Sequence, residues 1–137
     1  MPHDPARIAE CRAWLERAWA DLESARILLA ATPPRADTAV FHCQQAAEKS
    51  WKGFLVWHGR PFRRTHDLRE LGDACAALDP TLAALAERAE DLTPFAWAFR
   101  YPGEPEEPTL AEAAEALGLA RAVYAAVVAR LPGEVRP

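Results

Sequence analysis

Apolar side chains recur at helical spacing along most of the chain. Ile8, Cys11, Leu15, Ala18, Leu22, Ala25 and Leu29 alternate steps of three and four, which places all seven on one stripe of a first helix. Pro33-Pro34 stops it, since proline removes a donor and clashes with the preceding turn. A second helix is expected over Asp37–Trp57, closed by Gly59 and Pro61. Thr65-His66-Asp67-Leu68-Arg69-Glu70 reads as the next start, with Asp67 as cap and Glu70 as its capping-box partner. That third helix is short and ends near Leu78. Asp79-Pro80 opens a fourth, a cap followed by proline at the first helical position, and Leu78, Leu82, Leu85, Ala89 and Leu92 carry its rhythm. Pro102, Pro105 and Pro108 enforce an extended loop. Thr109 and Glu112 then form a second capping box, and Leu110, Ala113, Leu117, Ala120, Tyr124, Val127 and Leu131 make the last stripe. No segment alternates with period two between turn residues, so no sheet is expected. The expected architecture is all-α: an antiparallel helical bundle of four long helices plus one short helix, in a single domain over residues 1–137.

Composition agrees with a globular domain. Half of the 137 residues are apolar and 26% are charged. The net charge of -4 excludes a globally basic nucleic-acid binder while leaving room for a local basic patch. No apolar run is long enough to span a bilayer, and no export leader is expected at the start of the chain, so the expectation is a cytoplasmic protein without membrane contact. Cys11, Cys43 and Cys75 include no C-x-x-C pair and read as three reduced thiols acting as small buried hydrophobes. Trp14, Trp19, Trp57 and Trp97 exceed what one narrow core takes in. They imply a homodimer or else a wide core.

The second helix carries the candidate chemistry. Gln44 falls on the apolar stripe Val40, Gln44, Ala47, Trp51, Leu55, where a buried amide needs a partner on a neighbouring helix or at an interface. Glu48 and Lys52 are an i, i+4 pair in the favourable order. The loop from His58 to His66 holds Arg60, Arg63 and Arg64, which read first as a solvated loop or as partners of Glu104, Glu106 and Glu107, and otherwise as a phosphate cluster. Ser24 and Ser50 lie mid-helix, outside any nucleophile elbow. No Walker A or dinucleotide loop is present, and no histidine has metal spacing, so neither a cofactor nor a metal is expected. The best candidate is an anion site, for a nucleotide phosphate. In it Lys49 and Lys52, the only lysines, sit one turn apart, and Thr65 and His66 open a helix with free N–H groups. Arg100 supplies a planar fork, and Tyr101 a ring for stacking.

The run from Ala39 to Lys52, with Gln44-Gln45-Ala46-Ala47-Glu48-Lys49, followed by Thr65-His66-Asp67-Leu68, resembles the HEPN domain (higher eukaryotes and prokaryotes nucleotide-binding). Trp19-Ala20-Asp21-Leu22-Glu23 and Phe99-Arg100-Tyr101-Pro102 also match, so the resemblance covers nearly the whole chain. It implies a helical bundle that commonly dimerises and binds nucleotide, often encoded beside a minimal nucleotidyltransferase in toxin–antitoxin-like pairs. Some branches are metal-independent ribonucleases that use an arginine followed after four to six residues by a histidine. Arg100 matches the arginine, but Pro105, Glu106 and Glu107 stand where the histidine should fall. The resemblance therefore implies a non-catalytic binding and interaction module. The alternative is a ribonuclease toxin using Arg100 and a non-standard base such as His66, with RNA disfavoured as a partner by the acidic loop.

Overall fold

A computed structural model describes residues 3–103 and 107–137. Those residues are helical or irregular, with no strand among them. Helix α1 spans Pro5–Ala30, with Asp4 as N-cap accepting from the Ala6 N–H at 3.0 Å and Pro5 in the first turn. Helix α2 spans Ala36–Trp57. It ends where Gly59 turns the chain at φ +66°: the Gly59 N–H reaches the Val56 carbonyl and the Arg60 N–H the Leu55 carbonyl. This is the double bond pattern of a Schellman ending, which glycine enters without steric cost. Helix α3 spans Leu68–Leu78, capped by Asp67 at 2.9 Å from the Arg69 N–H. Its expected reciprocal partner, Glu70, turns away to hold Arg63 at 2.7 and 2.9 Å, so the capping box does not form and Asp67 caps the Arg69 amide alone. Helix α5, Leu110–Ala129, has both halves of the Thr109/Glu112 box.

The fourth segment departs from expectation. It runs as a 3-10 turn over Pro80–Leu82, a short helix α4 over Ala83–Ala89, and a further 3-10 stretch over Glu90–Ala96. The long helices are thus three, with two shorter ones. Pro94 lacks a donor for continued α-helix, and the Thr93 hydroxyl accepts from the Leu68 N–H at 3.1 Å, tying this stretch to the start of α3. Leu82, Ala89 and Leu92 are buried all the same, because a three-to-four spacing serves either kind of helix.

Helix α2 is the central element, packed against both α1 and α5. Trp51, Phe54, Leu55 and Val40 on α2 meet Leu15 and Leu22 of α1 and Val123 and Val127 of α5 in one continuous core. The α1–α2 pair is antiparallel, since the Cys11 thiol donates to the Gly53 carbonyl at one end while Asp21 meets His42 towards the other. All three cysteines are buried and unpaired. Burial pushes the Cys11 thiol up to about 11, the Cys43 thiol up to about 12, and Cys75 up as well. Leu110, assigned to the last stripe, is instead 55% exposed, because it opens α5 beyond the edge of the core. No described helix is long and apolar enough to cross a membrane.

Candidate functional site

The α2 face turned towards α1 and the α3 entry carries two clusters of one design, in which a shielded carboxylate holds one histidine and one lysine. In the first, Asp21 of α1 places Oδ1 2.8 Å from His42 Nδ1 and Oδ2 2.6 Å from Lys49 Nζ. In the second, Glu48 places Oε1 2.7 Å from His66 Nδ1 and Oε2 3.0 Å from Lys52 Nζ. Asp21 is 8% exposed and Glu48 4%, so each carboxylate depends on its lysine and histidine to offset the water it has lost. A carboxylate facing Nδ1 fixes the ring orientation and leaves Nε2 of each histidine turned away from it.

Gln44 connects the second cluster to the turn before α3. Its amide nitrogen donates to Glu48 Oε1 at 3.1 Å and to the His66 carbonyl at 3.0 Å, and its oxygen accepts from Gln45 at 2.7 Å. A fully buried amide on an apolar stripe thus has a partner at every polar atom, as burial demands. Lys52 Nζ also stands 5.5 Å from the ring centres of both Trp14 and Phe62, a cationic head between two aromatic faces.

The six residues expected to bind an anion are divided by the fold. Lys52 and His66 share Glu48, and Lys49 belongs to the Asp21 cluster. Thr65 spends its hydroxyl on the Asp67 N–H at 3.0 Å, inside its own turn. Arg100 lies with its guanidinium carbon 4.4 Å above the Phe41 ring and bonds the Ala96 carbonyl at 3.1 Å. Phe41 in turn meets the His42 ring edge-on at 5.5 Å, which sets Arg100 beside the first cluster. Tyr101 is 62% exposed. Phe99 sits at φ +64°, the left-handed region an aromatic side chain seldom adopts, just before this pair. Arg100 has no carboxylate partner among the described residues, whereas both lysines are already neutralised.

Sequence reasoning missed Asp21 as a site residue. Its signal was the same as that of Gln44: Asp21 stands three residues after Ala18 and four before Ala25, a polar group among core positions. In the His58–His66 loop, Arg63 pairs with Glu70, and the expected partners Glu104 and Glu106 lie outside the described residues. Among the described residues no cluster of histidine, cysteine or carboxylate could hold a metal ion.

A family model described as HEPN domain matches residues 11–131. Among solved structures, TT1696 from Thermus thermophilus is 32% identical, with 89% of this chain and 98% of that chain covered at a TM-score of 0.76. No curated protein matches.

Proposed function

This chain belongs to the HEPN domain family, and from that premise we propose that it is a nucleotide- or anion-binding and interaction module rather than a catalyst. It would work beside a minimal nucleotidyltransferase in a toxin–antitoxin-like pair. The observation that carries this reading is Arg100, held over the Phe41 ring, without a carboxylate partner among the described residues and followed in the chain by the exposed Tyr101. A guanidinium oriented on an aromatic face keeps its N–H edges for phosphate, and an open tyrosine ring accepts a base. In this reading Lys49, Lys52, Thr65 and His66 add to the local potential rather than touch the ligand, each being committed within its own cluster or turn. Chain positions 104 to 107 read Glu-Pro-Glu-Glu, so the histidine of the family's nucleases has no counterpart after Arg100.

Calorimetry with ATP and with AMP tests the site. Heat is expected from wild type and loss of one binding site from Arg100→Ala, which leaves the Glu48–Lys52 pair intact. Silence at millimolar ligand, or binding untouched by the change, refutes it. The pairing is tested by co-purification with a nucleotidyltransferase encoded next to this chain. A homodimer is part of the same proposal, supported by Trp19 and Trp97, each about half exposed. One observation favours the second reading, RNA cleavage through Arg100 and a non-standard base: two histidines, His42 and His66, are each oriented by a shielded carboxylate as a general base requires. Cleavage of RNA by the purified protein, lost in Arg100→Ala, would establish that reading in place of the first.

A further inference from the structure

A separate cleft of about 460 Å³ opens between the first turns of α1 and the end of α2, lined by Asp4, Arg7, Glu10, Arg60, Pro61 and Phe62, with Gly59 in its wall. We propose that it is a second binding site, for a phosphate monoester, with Arg7 and Arg60 as the two groups that grip the phosphate. The proposal shares no residue with the Arg100 site.

Three observations converge on it. Neither Arg7 nor Arg60 has a carboxylate within 4.0 Å among the described residues, although the carboxylates Asp4 and Glu10 line the same cleft. Glu10 is one helical turn from Arg7, the spacing at which an ion pair ordinarily forms. The Arg7 guanidinium lies against the turn instead: a Cβ built on Gly59 would come within 3.1 Å of Nη2 and 3.4 Å of the guanidinium carbon. Gly59 therefore serves the helix ending and also admits the guanidinium to the backbone. Asp4 uses one carboxylate oxygen as helix cap for the Ala6 N–H. Neither carboxylate of the cleft pairs with a guanidinium, so both forks are left open, and planar guanidiniums match phosphate oxygens in bidentate fashion.

The remainder of the cleft selects what the phosphate is attached to. Val56, Pro61 and Phe62 give it an apolar side. Phe62 is fixed from behind, edge-on to Trp14 at 6.0 Å and beneath the Lys52 ammonium at 5.5 Å. A volume of this size accommodates a small organic phosphate, in the range of ordinary ligand pockets. A sugar or nucleoside monophosphate fits both halves, whereas inorganic phosphate uses only the arginines.

The test is calorimetry with AMP, ribose 5-phosphate, adenosine and inorganic phosphate on wild type, Arg7→Ala/Arg60→Ala, Glu10→Gln and Arg100→Ala, which leaves Lys52 in place over Phe62. Both arginines are exposed, so the double variant is expected to keep its fold, checked by circular dichroism. The expected result is two AMP sites on wild type, one lost in Arg100→Ala and the other, in this cleft, weakened at least tenfold in Arg7→Ala/Arg60→Ala and tightened in Glu10→Gln. Arg7→Lys/Arg60→Lys, which keeps the charge and loses the fork, should weaken the cleft's site only in part. Unchanged binding in Arg7→Ala/Arg60→Ala overturns the proposal, as does loss of all binding in Arg100→Ala, a result that upholds the Arg100 site alone. The converse pattern, binding sensitive only to Arg7 and Arg60, upholds this cleft and refutes the Arg100 site. Phosphate and AMP binding with equal strength would reduce the cleft to a simple ion site and overturn the monoester assignment.

Discussion

Replacing Glu48 by alanine should be among the most damaging single changes to this fold. Glu48 is 4% exposed and Lys52 7%, so the change strands an ammonium in a place water scarcely reaches. Removing one member of a buried ion pair costs about 3–5 kcal/mol, chiefly because the survivor is left uncompensated. Two local features act in opposite directions. The Trp14 and Phe62 rings at 5.5 Å still stabilise the ammonium by about 0.5–2 kcal/mol. Against that, Gln44 and His66 each lose a bond to the missing carboxylate, at about 0.5–1.5 kcal/mol for an ordinary hydrogen bond and more for one to a charge. The net expectation is about 3 kcal/mol. With a urea slope of about 1–3 kcal/mol/M, the unfolding midpoint falls by roughly 1–3 M. The assay is equilibrium urea unfolding, followed by far-ultraviolet circular dichroism and by tryptophan fluorescence. The decisive comparison is Glu48→Leu/Lys52→Met, which removes both charges and should recover most of the lost stability, because apolar replacements of a buried pair are often neutral or better. A Glu48→Ala protein within about 1 kcal/mol of wild type would refute the reasoning. It would mean that Lys52 reaches water as easily without its partner as the unfolded chain does.

Leu22→Ala and Leu117→Ala, both at core positions, should each cost about 2–5 kcal/mol in the same unfolding assay; a near-zero cost would remove that helix face from the core. Gly72→Ala places a methyl 3.0 Å from the Ala86 Cβ, in contact between α3 and α4, and should cost about 1–3 kcal/mol as overpacking. The buried thiols should resist alkylation and disulfide exchange at pH 8, since Cys11 at about 11 and Cys43 at about 12 hold on the order of a thousandth or less of their population as thiolate. Their reactivity with Ellman's reagent should rise steeply only once urea unfolds the chain, and a thiol that reacts fast in the native protein would show the burial to be wrong.

Three of the starts were legible because capping is local chemistry. Asp67, Asp79 and Thr109 each accept from a backbone N–H two or three residues on, and nothing distant decides whether they do so. Failures came where a distant partner intervened. Glu70 could close a box on its own helix or pair with Arg63, and the arginine, seven residues back, supplies a charged donor where a backbone amide supplies a neutral one. The fourth segment was misread for a related reason. A three-to-four apolar rhythm does not distinguish α from 3-10 geometry, and the bond from Leu68 to Thr93 joins residues 25 apart. Leu110 shows the complementary limit, since periodicity assigns a face and says nothing of where along the helix the core ends.

At the candidate site the same distinction decides what each cation can do. The Glu48–Lys52 pair lies within one helix and was visible as a spacing, whereas Asp21–Lys49 bridges two helices and was not. Two lysines one turn apart looked like cations awaiting an anion, yet each already faces a carboxylate that has almost no water of its own. A ligand phosphate drawing Lys49 away would leave the Asp21 charge shielded and unpaired, and the same holds for Lys52 and Glu48. The lysines therefore contribute potential to that face without leaving their partners. Direct contact with a ligand falls to groups that lose nothing by turning to it. Under the two proposals above those are Arg100 on Phe41 and the Arg7–Arg60 pair at the opposite end of α2, which have no carboxylate partner among the described residues. The polar residues that interrupt the apolar stripes, Asp21 and Gln44, are thus best understood as anchors. Asp21 holds His42 and Lys49, and Gln44 ties Glu48 to the His66 backbone, which is why the apolar stripes tolerate both.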